Sequence, residues 1–468
     1  MKSKLKSIMA SILCVVTLLS LAACGAGKPE STPSANTPSG TSTPSTNPGS
    51  APDVKVEVAE QVEELSFERL WLHTDLSQGA AWIEYKETAD SDRAYGIINT
   101  EGEIIRVAGS LPKDVSSFSG GYSYVNYDTG SNTPKHFAIF DSMGNLTAQS
   151  TDDFAHRILC GGDGYYLVQK DYQTMTANET HYGVIDAQGN WIYEPTADLL
   201  SEVYDVRYLG DGIFYCHRSS EVGDVLLDAK RTSSPITVVS SENSEFELLF
   251  KPLGMYEGSV ILLERRYGYY GGIIHRLDAD GTRTIIETGD TDFESENENH
   301  YIEDVSAKFS EGVLFVSSNY YDENAMYTLG RAMQFIDMDG KVIADYSAYN
   351  DIRGWDGCFE FVDGYAAVLI RGADFNTYLE IIDKTGTCAF EPIKLDSDFV
   401  EKIYDGKVGC TIDGAKVWVD AQGNITDRPA VPVGLNDYVD PSFNNGYAVK
   451  DNQIINMDGE ALPLHWAK

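Results

Sequence analysis

The chain has 468 residues, with 35 basic against 72 acidic side chains and a formal net charge of −37. Hydrophobic residues make up 42% and aromatics 11%, enough for a large core, so the composition excludes a disordered polyelectrolyte. So acidic a surface would release no phosphate counterions, which excludes nucleic acid as a partner and docking of the folded body on anionic lipid.

Lys2, Lys4 and Lys6 form a positive start, Ile8 to Leu19 is almost wholly apolar, and Leu21-Ala22-Ala23-Cys24 follows. This is the layout of a secretory signal, with an apolar stretch too short for a comfortable membrane span. The last four residues resemble the bacterial lipobox. That resemblance implies cleavage before Cys24 and lipid attachment on Cys24, with several acyl chains for durable anchoring. The expected location is extracytoplasmic, at the outer face of a bacterial cell membrane, with the membrane touched through the lipid alone. Ordinary secretion with an incidental Cys is the alternative. Loss of residues 1–23 would remove three Lys and no acid, taking the charge from −37 to about −40. Residues 24–56 read as a tether rich in Ser, Thr, Pro and Gly. Its six prolines from Pro29 to Pro52 stiffen it toward polyproline II, and thirty residues at ~3 Å each reach up to ~90 Å.

Residues 57–468 are a tandem repeat. One marker is an apolar residue, Asp or Asn, two variable residues and Gly, as in Phe140 to Gly144, Ile185 to Gly189, Ile382 to Gly386 and Val419 to Gly423. Leu227-Asp228-Ala229-Lys230-Arg231 is a copy that has lost its Gly. The second marker is a large apolar residue, two variable residues, Gly and an aromatic or apolar run, as in Phe309 to Val313, Phe361 to Tyr365 and Phe443 to Tyr447. Weaker copies place Gly at Gly79, Gly121, Gly164, Gly212, Gly258 and Gly406. The two markers alternate nine times at a period near 46 residues, which chance does not produce. Asp or Asn bonds the backbone two residues on, and Gly supplies the positive φ of a tight turn. The intervening runs, such as Tyr182-Gly183-Val184-Ile185, are short and rich in β-branched and aromatic residues, and no helical period extends over twelve residues. The fold class is therefore all-β, about four short antiparallel strands per unit. It reads as a closed β-propeller of seven to nine blades, with an open β-solenoid as the alternative.

Tyr95-Gly96 and Tyr182-Gly183, the Ile-Asp-x-x-Gly turns, Glu194-Pro195, Glu391-Pro392 and Gly364-Tyr365-Ala366-Ala367-Val368 resemble the bacterial WG-repeat family over about residues 70–465. The Trp-Gly pair itself is missing before these turns, so the chain reads as a divergent member. The resemblance implies an all-β extracytoplasmic repeat protein and brings no catalytic residues. The turns also resemble quinoprotein-type blades, whose regular Trp is matched only near Trp191.

The recurring turn Asp residues read as structural. Asp278-Ala279-Asp280-Gly281 with Glu287 matches part of a calcium loop, but Arg276 stands where the first ligand belongs. The insert Glu287 to Asp304 holds Asp290, Asp292, Glu294, Glu296 and Glu298 at alternate positions. It reads as a solvated loop, with a calcium or other divalent-cation site, or a cationic partner, as the functional alternative. The eight His lack zinc spacing, and Cys160, Cys216, Cys358, Cys388 and Cys410 read as buried thiols rather than disulfides. No metal or cofactor is otherwise expected. Tyr269, Tyr270, Tyr320, Tyr321 and Trp355 fall in expected loops and form the candidate recognition face. The expectation is a monomeric, non-catalytic binding or scaffold module for a protein or a cell-wall polysaccharide, not an enzyme. The alternatives are a propeller-type glycan hydrolase or lyase and a quinoprotein-like redox propeller.

Overall fold

At each of the nine second markers, two consecutive residues with positive φ reverse the backbone. Asp163 and Gly164 stand at 52° and 81°, and Glu311 and Gly312 at 47° and 83°. Two positive φ values in a row are what a type I′ turn requires, and its twist matches that of the strands it joins. Each such turn sits at a second marker and leads into the strand that follows. The Asp-x-x-Gly markers make the other recurrent turn. Asp186 accepts the backbone N–H of Gln188 at 2.9 Å and of Asn190 at 2.8 Å, while Gly189 turns at φ 80°.

The computed structural model describes residues 55–57 and 65–467, apart from 109–111, 113, 129–134, 151–154, 174–177, 197–199, 201–202, 219–222, 231–235, 238–247, 267–272, 279, 287–299, 323–326, 349–358, 432–442 and 444. These residues contain no α-helix and form nine antiparallel sheets in chain order. The third sheet shows the pattern with four strands, Ala155–Gly162, Tyr165–Gln173, Asn178–Asp186 and Trp191–Thr196, each paired with the next. The second, fourth, fifth and sixth sheets repeat it. The seventh and eighth have three strands and the ninth two. The nine sheets match the nine marker pairs.

Both faces of each sheet must be covered, and each sheet covers its neighbour. Trp82 and Ile97 of the first sheet pack with Val125, Ala138 and Phe140 of the second. Leu262 and Phe250 of the fifth pack with Tyr215 and Leu226 of the fourth, and Trp418 of the eighth packs with Ala448 and Ile455 of the ninth. Each fully buried Leu, Ile or Phe contributes about 1.5–3 kcal/mol. Side chains at the I′ turns clip neighbours together. Asp163 accepts from Ser119 Oγ at 2.9 Å and Tyr208 Oη at 2.7 Å, and Glu311 accepts the N–H groups of Asp363 and Gly364.

The packing order returns to its start. Ile454 and Leu464 from the end of the chain share one buried cluster with Phe67, Leu70, Ile83 and Tyr85 of the first sheet. The first sheet comprises Arg69–Leu72, Ala80–Lys86, Ala94–Asn99 and Glu103–Ala108, with Lys55–Glu57 antiparallel along Arg106 to Ala108 of the last. His465–Trp466 adds a parallel strand to the edge of Glu103–Ala108, donating from His465 N to Gly102 O at 3.0 Å and from Ala467 N to Ile104 O at 2.7 Å. The two ends of the chain therefore keep separate sheets and are joined by this strap. An open stack would leave both end sheets with an uncovered face.

Candidate functional site

A meander that runs up and down puts its turns at alternate ends. The marker I′ turns lead into the second strand of a unit and the Asp-x-x-Gly turns follow its third, so both kinds of marker share one end, whereas Asp413-Gly414 and Asp451-Asn452 turn at the other. The connections from second to third strand, and from each sheet to the next, share the other end. The repeat markers thus occupy the turn face, and the variable segments occupy the loop face. Residues 267–272, 287–299 and 349–358 lie outside the described residues, and of the insert expected as a loop, His300 to Asp304 belong instead to the strand His300–Ser310.

At the loop-facing end of the second strand, one row departs from the apolar pattern. Five residues after the marker Gly, seven of the nine units carry a polar residue, Glu84, Asn126, Gln169, His217, Ser317, Thr411 and Asp451, while the fifth and seventh carry Leu263 and Leu369. Within this row Glu84 gathers the strongest chemistry. It pairs across the sheet with Trp71 on one side and Tyr95 on the other. Glu84 Oε2 accepts from His73 Nε2 at 3.0 Å and from Tyr95 Oη at 2.9 Å, while Arg93 Nη1 lies 3.2 Å from Oε1. The carboxylate is buried at 7% side-chain exposure, but His73 is 34% exposed, so the imidazole bridges interior and solvent. Trp71 is 36% exposed, with the Arg69 and Arg93 guanidiniums 5.8 and 5.9 Å from its ring centre.

A carboxylate accepts only, so Nε2 donates to it and Nδ1 is left as the basic nitrogen. Burial, then the hydrogen bond to Glu84, pushes the Tyr95 phenol up from its ordinary 10 to about 12. It therefore stays protonated in neutral solution. The set offers an oriented base, a proton donor, a cation and an exposed aromatic plane at the loop-facing end of one sheet.

The fourth sheet repeats this composition. Asp224, 6% exposed, accepts from the Tyr215 phenol and holds His217 Nδ1 at 3.0 Å, and the ring of the 71%-exposed Tyr204 lies 6.1 Å from that imidazole. A third pair, His275 Nε2 with Glu264 at 2.7 Å, is buried in the fifth sheet. The His136–Ser150 pair is buried as well and offers no accessible nucleophile.

The residues expected from sequence fall differently. Cys24, Tyr269, Tyr270, Trp355, Asp290, Asp292, Glu294, Glu296 and Glu298 lie outside the described residues. Tyr320 and Tyr321 are not in a loop as expected. They belong to the strand Val313–Asp322, paired with Ile302 and Tyr301, because this hairpin runs longer than its counterparts. Asp278 of the partial calcium loop accepts from Ser259 Oγ at 2.6 Å and Arg276 Nε at 2.9 Å, so its carboxylate is engaged within the turn. Cys160, Cys216, Cys388 and Cys410 are free thiols, with Cys216 and Cys410 buried, and Cys358 lies outside the described residues. His73, Glu84 and Trp71 belong to no motif, and Tyr95 belongs to the aromatic–Gly pair Tyr95-Gly96 of the repeat. Glu84 stands in a row that is polar in most units, so the repeat does not single it out, and the group is gathered by the pairing of Trp71 and Tyr95 with Glu84 across the strands.

No protein-family model and no curated protein sequence matches the chain. Among solved structures, apo prolyl oligopeptidase B from Galerina marginata is similar at 10% identity and a TM-score of 0.39, covering 79% of this chain and 55% of that one. Oligopeptidase B from Leishmania major is similar at 9% identity and 0.37, covering 76% of this chain and 53% of that one. Apo AztD from Citrobacter koseri is similar at 13% identity and 0.34, covering 70% of this chain and 86% of that one. The chain spans about half the length of the oligopeptidases it matches. These neighbours are peptidases, whereas the sequence led to the expectation of a non-catalytic scaffold that is not an enzyme. Likenesses this low bring neither substrate nor mechanism with them.

Proposed function

We propose that this chain is a glycan-cleaving enzyme of the bacterial envelope, a hydrolase or lyase built on a divergent WG-like β-repeat body. In this reading it is held to the outer face of the membrane by lipid on Cys24. The observation that carries the proposal is the Glu84 constellation, in which a buried carboxylate fixes a half-exposed imidazole and a protonated phenol beside an exposed Trp. Trp71 offers an apolar plane of the kind on which sugar rings stack, flanked by Arg69 and Arg93 as donors to hydroxyl or carboxylate oxygens. Glu84 keeps His73 in one tautomer. His73 Nδ1 takes a proton, from water in hydrolysis or from a ring carbon in elimination, and Tyr95 returns one to the departing sugar oxygen. Positioned acid–base groups contribute typically 10²–10⁴-fold each.

The sequence supports the setting. A lipobox-like Leu21-Ala22-Ala23-Cys24 and a Pro-rich tether suit a body that works at the depth of a cell-wall layer, where polysaccharide is the abundant polymer. The test is incubation of the protein, residues 24–468, with solubilised cell-wall polysaccharide, following new reducing ends and unsaturated sugar ends. Cleavage that Glu84→Gln abolishes supports the reading, and an intact polymer overturns it.

A further inference from the structure

We infer that His217, Asp224, Tyr215 and Tyr204 of the fourth sheet form a second glycan-binding site, so that a single polysaccharide strand is gripped at two points on the loop face. The inference rests on the glycan reading of the first site. Its own ground is that the two constellations share one chemistry. In each, a carboxylate under 10% exposed receives one tyrosine phenol and one imidazole. In each, that imidazole is partly exposed, at 34% for His73 and 40% for His217, and a surface aromatic stands on the strand alongside. Tyr204 plays the part of Trp71. It is 71% exposed on the first strand of its sheet, Val203–Gly210, next to Asp205, which pairs with His217 across the strands. Nothing in the packing of the sheet asks for an exposed Tyr there, since the cluster that the fourth sheet shares with the third is filled by Phe214, Cys216 and Val225.

The second site is a holding site rather than a second reaction centre. Tyr215 Oη also lies 3.0 Å from Phe250 O of the fifth sheet, so its one proton is shared between two interior acceptors, whereas the bond described for Tyr95 Oη goes to Glu84 alone. His217 and Tyr204 then present a ring nitrogen and an aromatic face with a hydroxyl, groups that bind a polyhydroxylated ring without proton transfer. Packed sheets lie roughly 10 Å apart, so three sheet-to-sheet steps separate the sites by on the order of 30 Å. A mono- or disaccharide cannot bridge that span, but a polymer can. Two linked contacts then raise the affinity for long chains over short ones.

Binding is measured with solubilised cell-wall glycan fractionated by chain length, using the Glu84→Gln protein so that no cutting interferes. Tyr204→Ala with His217→Gln, added to that background, is expected to weaken long-chain binding by tenfold or more and to weaken short-chain binding much less. Equal affinity of the two proteins for the long chains overturns the second site, as does absence of glycan binding by both. Melting curves that coincide show that the added substitutions leave the fold in place. If the unsubstituted protein binds the glycans without cutting them, the catalytic reading of Glu84 falls, while the same affinity comparison still decides the second site.

Discussion

His73 Nε2 and Glu84 Oε2 are 3.0 Å apart, one residue half-exposed just past the strand Arg69–Leu72 and the other buried on the adjacent strand Ala80–Lys86. The strand pairing makes this contact. Trp71 lies opposite Glu84, and His73, two residues on, returns to the same side of the sheet. A buried carboxylate with two donors on one oxygen and a guanidinium near the other is a fixed acceptor that needs no reorganisation when the imidazole becomes charged.

The phenols and thiols set the alkaline limit. Burial pushes Tyr95 and Tyr124 from 10 to about 12, and Cys160 and Cys410 from 9 to about 12. All four shifts are upward, so the folded chain holds these protons more tightly than the unfolded chain. Their contribution is complete below the unfolded values and is lost as the pH rises through the folded ones. Melting temperature is expected to hold near pH 8 and to fall steadily between about 9 and 12. A flat profile across that range would show that these groups are solvated.

Removing the Tyr95 hydroxyl separates acid from base. Tyr95→Phe keeps the ring against His73 at 5.4 Å and deletes the proton donor to Glu84. The expected result is a loss of roughly 10²-fold or more in kcat with a much smaller change in KM. An unchanged kcat would remove Tyr95 from the proposed proton transfer.

Two glycine positions test the turns. Gly364 and Gly386 have φ of 85° and 79°, but a Cβ on Gly364 meets nothing within 4 Å, whereas one on Gly386 collides with the Ile343 carbonyl of the preceding sheet. Gly364→Ala is expected to cost about 1 kcal/mol from backbone strain alone. Gly386→Ala is expected to cost about 3 kcal/mol or more, because backbone must also move. Equal costs in urea denaturation would mean that neighbouring sheets do not pack as described.

The terminal strap has a separate readout. The Trp466 ring lies 5.5 Å from Tyr85 and 6.1 Å from Phe67, with the Arg106 guanidinium 4.4 Å from its centre. Trp466→Ala is expected to lower stability by about 2 kcal/mol, less than a fully buried Trp would cost. It should also speed hydrogen exchange at Ile104 and Leu464, which the strap covers. Exchange unchanged at both would mean that the ends are joined by other contacts.

The repeat was legible because it is written in local chemistry. Asp186 through Gly189, or Asp363 with Gly364, announces a turn from four residues or fewer, and alternation between two turn types implies the strands between them. Nine sheets follow from nine marker pairs. The strap was not legible, since His465 and Trp466 meet Glu103 and Ile104 from the far end of the chain. The Glu84 constellation was hidden for a related reason. His73 and Glu84 carry no motif spacing, Tyr95 reads only as the aromatic of a repeat pair, and cross-strand register assembles the three. The loop tyrosines were chosen by exposure, and Tyr320 and Tyr321 failed that choice because a strand can outrun the average length of its family.

The most direct test of the account is the rate at which the protein releases new chain ends from solubilised cell-wall polysaccharide, compared with Glu84→Gln. The substitution keeps the side-chain volume and removes the charge that fixes His73. The account predicts cleavage by the unsubstituted protein and a loss of roughly 10²-fold or more in the variant, with melting temperatures close together. No cleavage by the unsubstituted protein, or equal cleavage by both, would contradict it.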